Sequence, residues 1–113
     1  MLFHLIYVST AVVPMTEDAL VQLLDQSRSD NERNRLTGML LYKNGHFMQV
    51  LEGAESTVME IFHNIKMDWR HKSVDVLRAK YIHHRDFPDW TMGFANIDKL
   101  DSSTAPGFTR FLE

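Results

Sequence analysis

Residues 36–52, LTGMLLYKNGHFMQVLE, predict a β-hairpin and therefore an antiparallel sheet. Two apolar runs, residues 36–42 and 46–52, flank the tripeptide Lys43-Asn44-Gly45. Asn-Gly between apolar runs is the strongest short-range hairpin signal, because both residues tolerate the positive φ angles of a tight turn. The hairpin lies near the middle of the chain, and the remaining segments are placed around it.

The segment before the hairpin predicts one strand followed by one helix. Residues 2–9 are short, apolar and aromatic, which suits a strand. A helix is predicted to begin after Thr16, where Glu17 and Asp18 favour an N-terminus, and to fade near residues 29–31. The face that repeats at helical spacing consists of Leu20, Leu23, Leu24 and Ser27.

The segment after the hairpin predicts a second helix and two further strands. The helix covers residues 54–68, and its apolar stripe consists of Val58, Ile61, Phe62 and Ile65. Residues 74–83 and 90–95 favour strands. The order β-α-β-β-α-β-β is typical of an α+β sandwich of ferredoxin-like type, with two helices on one face of a mixed, mostly antiparallel sheet.

The length of 113 residues and an apolar fraction of 44% predict one compact domain. We assign residues 1–97 to this domain and residues 98–113 to a short C-terminal extension. The extension is polar until a cluster that favours a short terminal helix, namely Phe108, Phe111 and Leu112.

Charge and cysteine content exclude several classes of function. The net charge of -3, with acids and bases interspersed, argues against a nucleic-acid-binding face. The chain has no cysteine, which removes disulfides, thiolate metal sites and cysteine nucleophiles. It has neither a signal peptide nor an apolar run long enough to span a bilayer. These features predict a soluble, cytoplasmic protein.

Three polar residues stand where the pattern favours apolar ones. Gln49 lies mid-strand between Phe47 and Leu51 on the same face, Tyr7 lies inside the first strand, and Asn31 follows the first helix. A buried amide without a partner costs roughly 1–3 kcal/mol, so a buried Gln49 needs one. Taken singly, these residues also fit a solvent-facing glutamine, a core tyrosine and an asparagine that stops a helix.

Five segments, in order and at compatible spacing, resemble the BLUF family of blue-light sensors that use FAD. They are LIYVS at 5–9, NERNRLTG at 31–38, HFMQVLEG at 46–53, DWRH at 68–71 and FPDWTM at 87–92. The resemblance covers residues 2 to about 95. It implies a photoreceptor that binds a flavin and catalyses no metabolic reaction.

The resemblance implies that the flavin ring lies between the two helices, edge-on to the sheet. Leu23 and Ile65 match the aliphatic positions that sandwich the ring. Asn31 matches the amide that binds the polar edge of the ring, and Ser27 matches another position that lines the cofactor. Two further contacts are implied on the sheet face that carries Gln49, namely Phe47 and Leu51.

Asp68, Arg70 and His71 match the positions that contact the flavin side chain and its phosphates. Asn64 departs from the family pattern, because some members carry a basic residue there. The resemblance therefore implies FAD as the cofactor. If a basic residue at position 64 is needed to anchor the FAD tail, FMN or riboflavin would compete with FAD.

Tyr7 and Gln49 match the photoactive pair of the family, and Trp90 and Met92 match the strand that reports the change. A phenol loses an electron and a proton together, and a primary amide carries both an acceptor and a donor. Light-driven oxidation of Tyr7 is therefore expected to reorient the Gln49 amide and shift the flavin absorption to the red. Trp90 and Met92 are expected to alternate on one face of the last strand, and we expect the reorientation to change which of them packs near the flavin.

Other classes of function fit the sequence less well. An acylphosphatase-like hydrolase needs an arginine in a phosphate-binding loop, and residues 10–14 contain none. Ser9 and Ser56 lack the Gly-x-Ser-x-Gly context of a nucleophile elbow. His83 and His84 are adjacent and point to opposite strand faces, which disfavours a metal site. A ligand-free interaction module fits the fold but leaves Gln49 unexplained.

The chain ends soon after the sensor-like segment, with no effector segment after it. We therefore expect the output to be a change in assembly or in affinity for a separate protein partner. Exposed strands and the apolar C-terminal residues favour a homo-oligomer.

Overall fold

The computed structural model describes residues 2–89 and 91–96, which form one sheet with two helices. In chain order the elements are β1 (Leu2–Ala11), α1 (Glu17–Asn34), β2 (Thr37–Lys43), β3 (His46–Ala54), α2 (Glu55–Lys66), β4 (His71–Ile82) and β5 (Gly93–Asn96). The predicted order β-α-β-β-α-β-β is confirmed. Within the described residues, no helix is both long and apolar enough to cross a membrane.

The five strands form a mixed sheet in the order β4-β1-β3-β2-β5. Every neighbouring pair is antiparallel except β2 and β5, which are parallel. In the β1–β3 ladder, Tyr7 lies opposite Gln49 and His4 lies opposite Glu52. Positions three residues apart on a strand face opposite sides of the sheet, so these two polar pairs lie on different faces.

The predicted Asn-Gly turn joins β2 to β3. Asn44 has a φ of 49° and Gly45 a φ of 80°, so both residues occupy the left-handed region that this turn requires. Further along the hairpin, a Cβ at Gly38 would lie 1.9 Å from the carbonyl oxygen of Val50. Glycine therefore allows the two strands to pair closely at this point.

The hydrophobic core lies between the two helices and the sheet. Each helix contributes residues of its predicted apolar face, and the buried ones are Leu20, Leu24, Val58 and Phe62. They pack with buried strand residues that include Leu5, Leu40, Phe47 and Leu51. Full burial of one such side chain stabilises the fold by about 1.5–3 kcal/mol. Leu23, Ile61 and Ile65 are only partly buried and pack against the edge of this core.

The first helix is longer than predicted. It does not fade at residues 29–31 but continues to Asn34, and Asn31 is buried within its last turns. Thr16 caps the start, since its hydroxyl accepts the N–H of Ala19 at 3.1 Å. Arg35 closes the end in a left-handed conformation with a φ of 57°. Glycine is the usual residue in this conformation, so Arg35 is not recognisable as a C-cap from the sequence.

Strand boundaries also differ from the prediction. β1 extends to Ala11 because β4 begins at His71 and pairs with this extension. β4 ends at Ile82, so His83 and His84 lie beyond it and the argument from opposite strand faces does not apply to them. β5 begins only at Gly93, so Met92 precedes the strand and the predicted start of the strand before Met92 is wrong. Trp90 itself and the predicted C-terminal extension, residues 98–113, lie outside the described residues.

Candidate functional site

A cavity of about 180 Å³ lies between α1, α2 and the sheet face that carries the core. Both helices and strands β1, β2, β3 and β4 contribute to its lining. The lining residues are Tyr7, Met15, Leu23, Gln26, Ser27, Asp30, Asn31, Leu40, Phe47, Gln49, Ile61, Asn64, Ile65, Asp68, Arg70 and His71. Apolar and polar side chains both line it, and the polar ones come from both helices as well as from the sheet.

The sheet end of the cavity carries a chain of polar contacts through Gln49. The Tyr7 hydroxyl donates a short hydrogen bond to Oε1 of Gln49, its cross-strand partner. Nε2 of Gln49 donates to Sδ of Met92 at 3.6 Å. All three side chains are buried, with exposures of 3%, 5% and 1%. The amide of Gln49 therefore uses its acceptor on Tyr7 and its donor on Met92.

Burial raises the pKa of the Tyr7 phenol, and the negative charge of Asp68 raises it further. The centroid of the phenol ring lies 5.4 Å from that of the Phe62 ring and 6.4 Å from that of the His71 ring, which it meets edge to face. Tyr7 is therefore held in place by aromatic contacts and keeps its proton at neutral pH.

Two side chains of α1 hold the segment that enters β5. Nδ2 of Asn31 donates to the carbonyl of Thr91 at 2.6 Å, and Nε of Arg28 donates to the carbonyl of Met92 at 2.9 Å. Asn31 lines the cavity and is 3% exposed. It therefore connects the cavity to the same segment that Gln49 contacts.

The mouth of the cavity contains a paired cation. Arg70 Nε donates to both carboxylate oxygens of Asp68, at 3.0 and 3.1 Å, and Nη2 donates at 2.5 Å. These side-chain bonds, with the backbone N–H of Arg70, hold the pKa of Asp68 below its usual range. Asn64, the position without a basic residue, lines the same cavity. The charge of Arg70 is thus balanced before any anionic ligand arrives.

His71 lines the cavity, but both of its ring nitrogens are used inside the protein. Nε2 contacts the carbonyl oxygen of Ile65, and Nδ1 lies 2.9 Å from Oγ of Ser9. A carbonyl only accepts, so Nε2 carries a hydrogen, and the Ser9 hydroxyl can pair with Nδ1 as donor or as acceptor. These two contacts fix the ring beside Tyr7.

The structure brings together all of the predicted flavin contacts except Leu51. Leu51 has no exposure and belongs to the core, so it does not line the cavity. Met92 is buried against Gln49, as one of the two predicted output residues. The sequence analysis missed several lining residues, namely Met15, Gln26, Asp30, Leu40 and Ile61. Leu40 and Ile61 belong to apolar patterns, and nothing in those patterns separates a cavity wall from a core residue.

A second buried polar pair lies on the opposite face of the sheet. Nδ1 of His4 lies 3.2 Å from Oε2 of Glu52, and Nη2 of Arg78 lies 3.4 Å from Nε2 of His4. Arginine only donates, so Nε2 accepts and Nδ1 donates its hydrogen to the carboxylate. Glu52 also accepts the backbone N–H groups of Asp86 and Phe87, at 2.9 and 3.0 Å.

This second pair anchors the connection between β4 and β5. Burial alone would raise the pKa of Glu52, but the hydrogen bonds from His4 and from the amides of Asp86 and Phe87 hold it below its usual range. His4, Glu52 and Asp86 place ligand-type atoms within 4.8 Å of one another. Because the His4 nitrogens and the Glu52 oxygens already have partners, the group is explained as an anchor.

The cavity fits a flat aromatic ligand with a polar edge. Leu23 and Ile65 supply aliphatic walls from opposite helices, and Asn31 and Gln49 supply amide donors and acceptors at one end. A flavin ring has such apolar faces and such an edge, so these residues match its chemistry. The fold and the site define a small α+β domain with a cavity between its two helices that matches a flat, hydrogen-bonding ligand.

Comparison with known proteins identifies the family. The family model "BLUF: Sensors of blue-light using FAD" matches residues 2–93. The photoactivated adenylate cyclase subunit beta of Euglena gracilis is 32% identical over 97 residues, which are 85% of this chain and 11% of that protein. This chain therefore spans about a tenth of the length of that curated relative.

Two solved structures share both fold and sequence with this chain. The BLUF protein BlrB, in its dark state, is 34% identical with a TM-score of 0.83, over 97% of this chain and 83% of that one. Klebsiella pneumoniae BlrP1, solved with FMN and cyclic diGMP, is 30% identical with a TM-score of 0.85, over 99% of this chain and 30% of that one. The chain belongs to the BLUF family, whose members are blue-light sensors that use a flavin.

Proposed function

We propose that this chain is a blue-light photoreceptor that binds FAD between α1 and α2 and signals to a separate protein. The observation that carries the proposal is the buried contact chain from Tyr7 through Gln49 to Met92, which begins at the cavity and ends at the entry to β5. The chain itself would carry out no metabolic reaction. The light-driven change would lie in hydrogen bonds alone.

The flavin would be held by residues of both helices and of the sheet. Leu23 and Ile65 would sandwich the ring, and Asn31 and Ser27 would contact it from α1. When bound and excited by blue light, a flavin supplies a strong one-electron oxidant that returns the electron as the site resets. Every other part of the response is assigned to side chains of this protein.

Tyr7 is the proposed electron donor. It lines the cavity, it is buried, and its raised pKa keeps the phenol protonated before illumination. Its O–H already points at Oε1 of Gln49, so the proton has an acceptor as soon as the phenol loses an electron. Both the electron and the proton return to Tyr7 at the end of the cycle, so nothing is consumed.

Gln49 is the proposed switch. Its amide group is planar and similar in shape at both ends, so a half-turn exchanges acceptor and donor without a change in volume. When the Tyr7 proton moves, Oε1 loses its donor and the present orientation loses its advantage. The turned amide would present a different hydrogen-bonding partner to the flavin edge, which shifts the absorption to the red.

Met92 is the proposed first output residue. Its sulfur is the contact of Nε2 of Gln49, so a turned amide would replace an N–H donor by a carbonyl oxygen beside the thioether. Sulfur is only a weak acceptor and has no hydrogen to donate, so this contact would be lost. Replacement of Met92 with Ala should keep the spectral shift and weaken light-dependent binding of the partner. If Met92→Ala binds the partner with the parent's affinity in both light states, Met92 does not have this role.

The choice among flavins depends on the mouth of the cavity. Arg70 is already bonded to Asp68 and Asn64 is uncharged, so the phosphate groups would gain little attraction there. We therefore expect FAD to be bound mainly through its ring and ribityl chain, with FMN and riboflavin able to compete. The BlrP1 relative, which was solved with FMN, supports a shared ring site.

The proposed partner is a separate effector protein. The Euglena relative is named as a cyclase subunit and is about eight times as long as this chain, so its sensor-like part is joined to other segments. Self-association is also proposed. β4 is an edge strand with exposed apolar side chains, namely Val76, Leu77 and Tyr81, and such an edge favours contact with another copy.

Absorption spectroscopy before and after blue illumination tests the proposal. The flavin-loaded protein should show a reversible red shift, and Tyr7→Phe should bind flavin and show none. Tyr42→Phe is the matched control, because Tyr42 is equally buried, accepts the N–H of Met15 at 3.0 Å and does not line the cavity. An equal shift in Tyr7→Phe and the parent would show that Tyr7 is not the electron donor.

A further inference from the structure

The entry to β5 is held by Gln49, Asn31 and Arg28 in the part of the chain that the structure describes. Gln49 contacts Sδ of Met92, Asn31 donates to the carbonyl of Thr91, and Arg28 donates to the carbonyl of Met92. Gln49 and Asn31 line the cavity, and Arg28 does not. Of these three residues, Arg28 is therefore the one that a bound flavin would not contact directly.

Arg28 and Asn31 are three residues apart on α1, so they share a helix face and reach consecutive carbonyls. The Arg28 bond is 2.9 Å long and is assisted by the charge of the donor. β5 begins directly after Met92 and is only four residues long. Such a short strand contributes few ladder bonds, so the two α1 side chains are a large part of what fixes its first residues.

The sulfur contact cannot position Met92 by itself. A thioether is a weak acceptor, and the 3.6 Å contact with Gln49 is correspondingly weak. The Met92 side chain is 1% exposed and forms one wall around the Gln49 amide. A buried amide turns only when its packed neighbours yield, so the backbone anchor of Met92 determines how easily this wall moves.

We infer that Arg28 is a positioning residue of the photoswitch, which fixes the Met92 backbone and thereby slows the turning of Gln49. The inference rests on the proposed function, since it assigns a new residue to the same switch. Arg28 acts through Met92 and makes no contact with the cavity. Its removal should leave flavin binding and the size of the red shift unchanged and should speed the return to the dark state.

Two substitutions of equal side-chain length separate the hydrogen bond from the rest of the side chain. Arg28→Met places a methyl group at the position of Nε, and Arg28→Gln places an amide nitrogen there. Methionine, glutamine and arginine all favour helices, so α1 should form in both variants. Arg28→Met should recover at least about threefold faster than the parent, and Arg28→Gln should stay within a factor of about 1.5.

Arg33→Met is the matched control for the loss of charge. Arg33 lies on the same helix, and its exposed guanidinium pairs with Asp30, which lines the cavity, so the flavin content of this variant is compared with that of the parent. Its substitution should leave the recovery rate within the same factor of about 1.5. An equal acceleration in Arg33→Met, or parental recovery in Arg28→Met, overturns the inference.

A double substitution tests whether Arg28 acts through Met92. Without the Met92 side chain there is no wall for Arg28 to position, so Arg28→Met should add less than about a factor of 1.5 to the recovery rate of Met92→Ala. A full threefold addition in that background would contradict the inference. The two proposals fail differently: a parent with no red shift overturns both, whereas a normal parent cycle with an unaffected Arg28→Met overturns only this one.

Discussion

Tyr7–Gln49 and His4–Glu52 are cross-strand pairs of the same β1–β3 ladder, and they hold two ends of the same connection. The Glu52 pair lies on one face and binds the amides of Asp86 and Phe87. The Gln49 pair lies on the other face and contacts Met92, where the connection enters β5. The Glu52 pair contains a carboxylate, whereas Tyr7 and Gln49 are both uncharged at neutral pH.

The chemistry of the two acceptors separates an anchor from a switch. A carboxylate only accepts, so Glu52 has no alternative arrangement with its N–H donors. An amide has one acceptor and one donor end, so Gln49 has two arrangements of equal shape. One end of the connection is thus fixed, and the other is free to change. In the proposed switch, this difference would let a small rearrangement at Gln49 move the entry to β5 without unfolding the connection.

The largest expected effect is a loss of stability when Glu52, the acceptor of the anchor, is substituted. Glu52→Gln places an amide NH₂ beside backbone donors and leaves a buried N–H without an acceptor, so the free energy of unfolding should fall by about 3 kcal/mol. Chemical denaturation of the flavin-free protein measures it. Glu55→Gln is the control at an exposed position and should change the value by less than about 0.5 kcal/mol. If Glu52→Gln changed the free energy of unfolding by a similarly small amount, the anchor would contribute little to stability.

At acidic pH, protonation of Glu52 should lower the free energy of unfolding, whereas the neutral pair Tyr7–Gln49 should not be affected. The pKa of Glu52 is lowered in the folded state, so its contribution is present above the unfolded value of about 4.3 and is lost as the pH falls through the folded pKa. The free energy of unfolding should decline below about pH 5, and the decline should be shallower in Glu52→Gln. Asp68 contributes a similar decline, which remains in that variant. Identical pH profiles for the two proteins would remove Glu52 as a cause.

The smallest expected effect concerns alkaline pH at the switch. Burial, and after it the charge of Asp68, raises the pKa of Tyr7, so the phenol stays protonated well above the pH at which tyrosine usually ionises. The size of the red shift should therefore be constant from about pH 6 to about pH 9. Difference spectra across that range measure it, with flavin content checked at each pH. A shift that disappears with a midpoint below about pH 9 would contradict this protonation state.

Local signals predicted most of the fold. The dipeptide Asn44-Gly45 predicted the hairpin correctly, and the helical spacing of apolar residues predicted the buried faces of both helices. Both signals depend only on residues that are close together in the sequence. Boundaries set by distant partners could not be predicted. The end of α1 depends on Arg35 in a left-handed conformation and on Asn31 bonded to Thr91, sixty residues away.

Some residues of the candidate site could also be predicted from the sequence, and others could not. Gln49 was predicted as a site residue because an amide inside an apolar strand needs a hydrogen-bond partner, and in the structure that partner is Tyr7. Glu52 gave no comparable signal, since a glutamate at the end of a predicted strand also fits an exposed position. Its burial depends on amides more than thirty residues later in the chain.

The most direct test of the amide switch is the light-minus-dark difference spectrum of Gln49→Leu, loaded with flavin to the same occupancy as the parent. Leucine fills a similar volume but offers no acceptor to Tyr7 and no donor to Met92. The account predicts a stable yellow protein with no reversible red shift. A reversible shift of parental size would contradict it, because the response would then proceed without an amide at position 49.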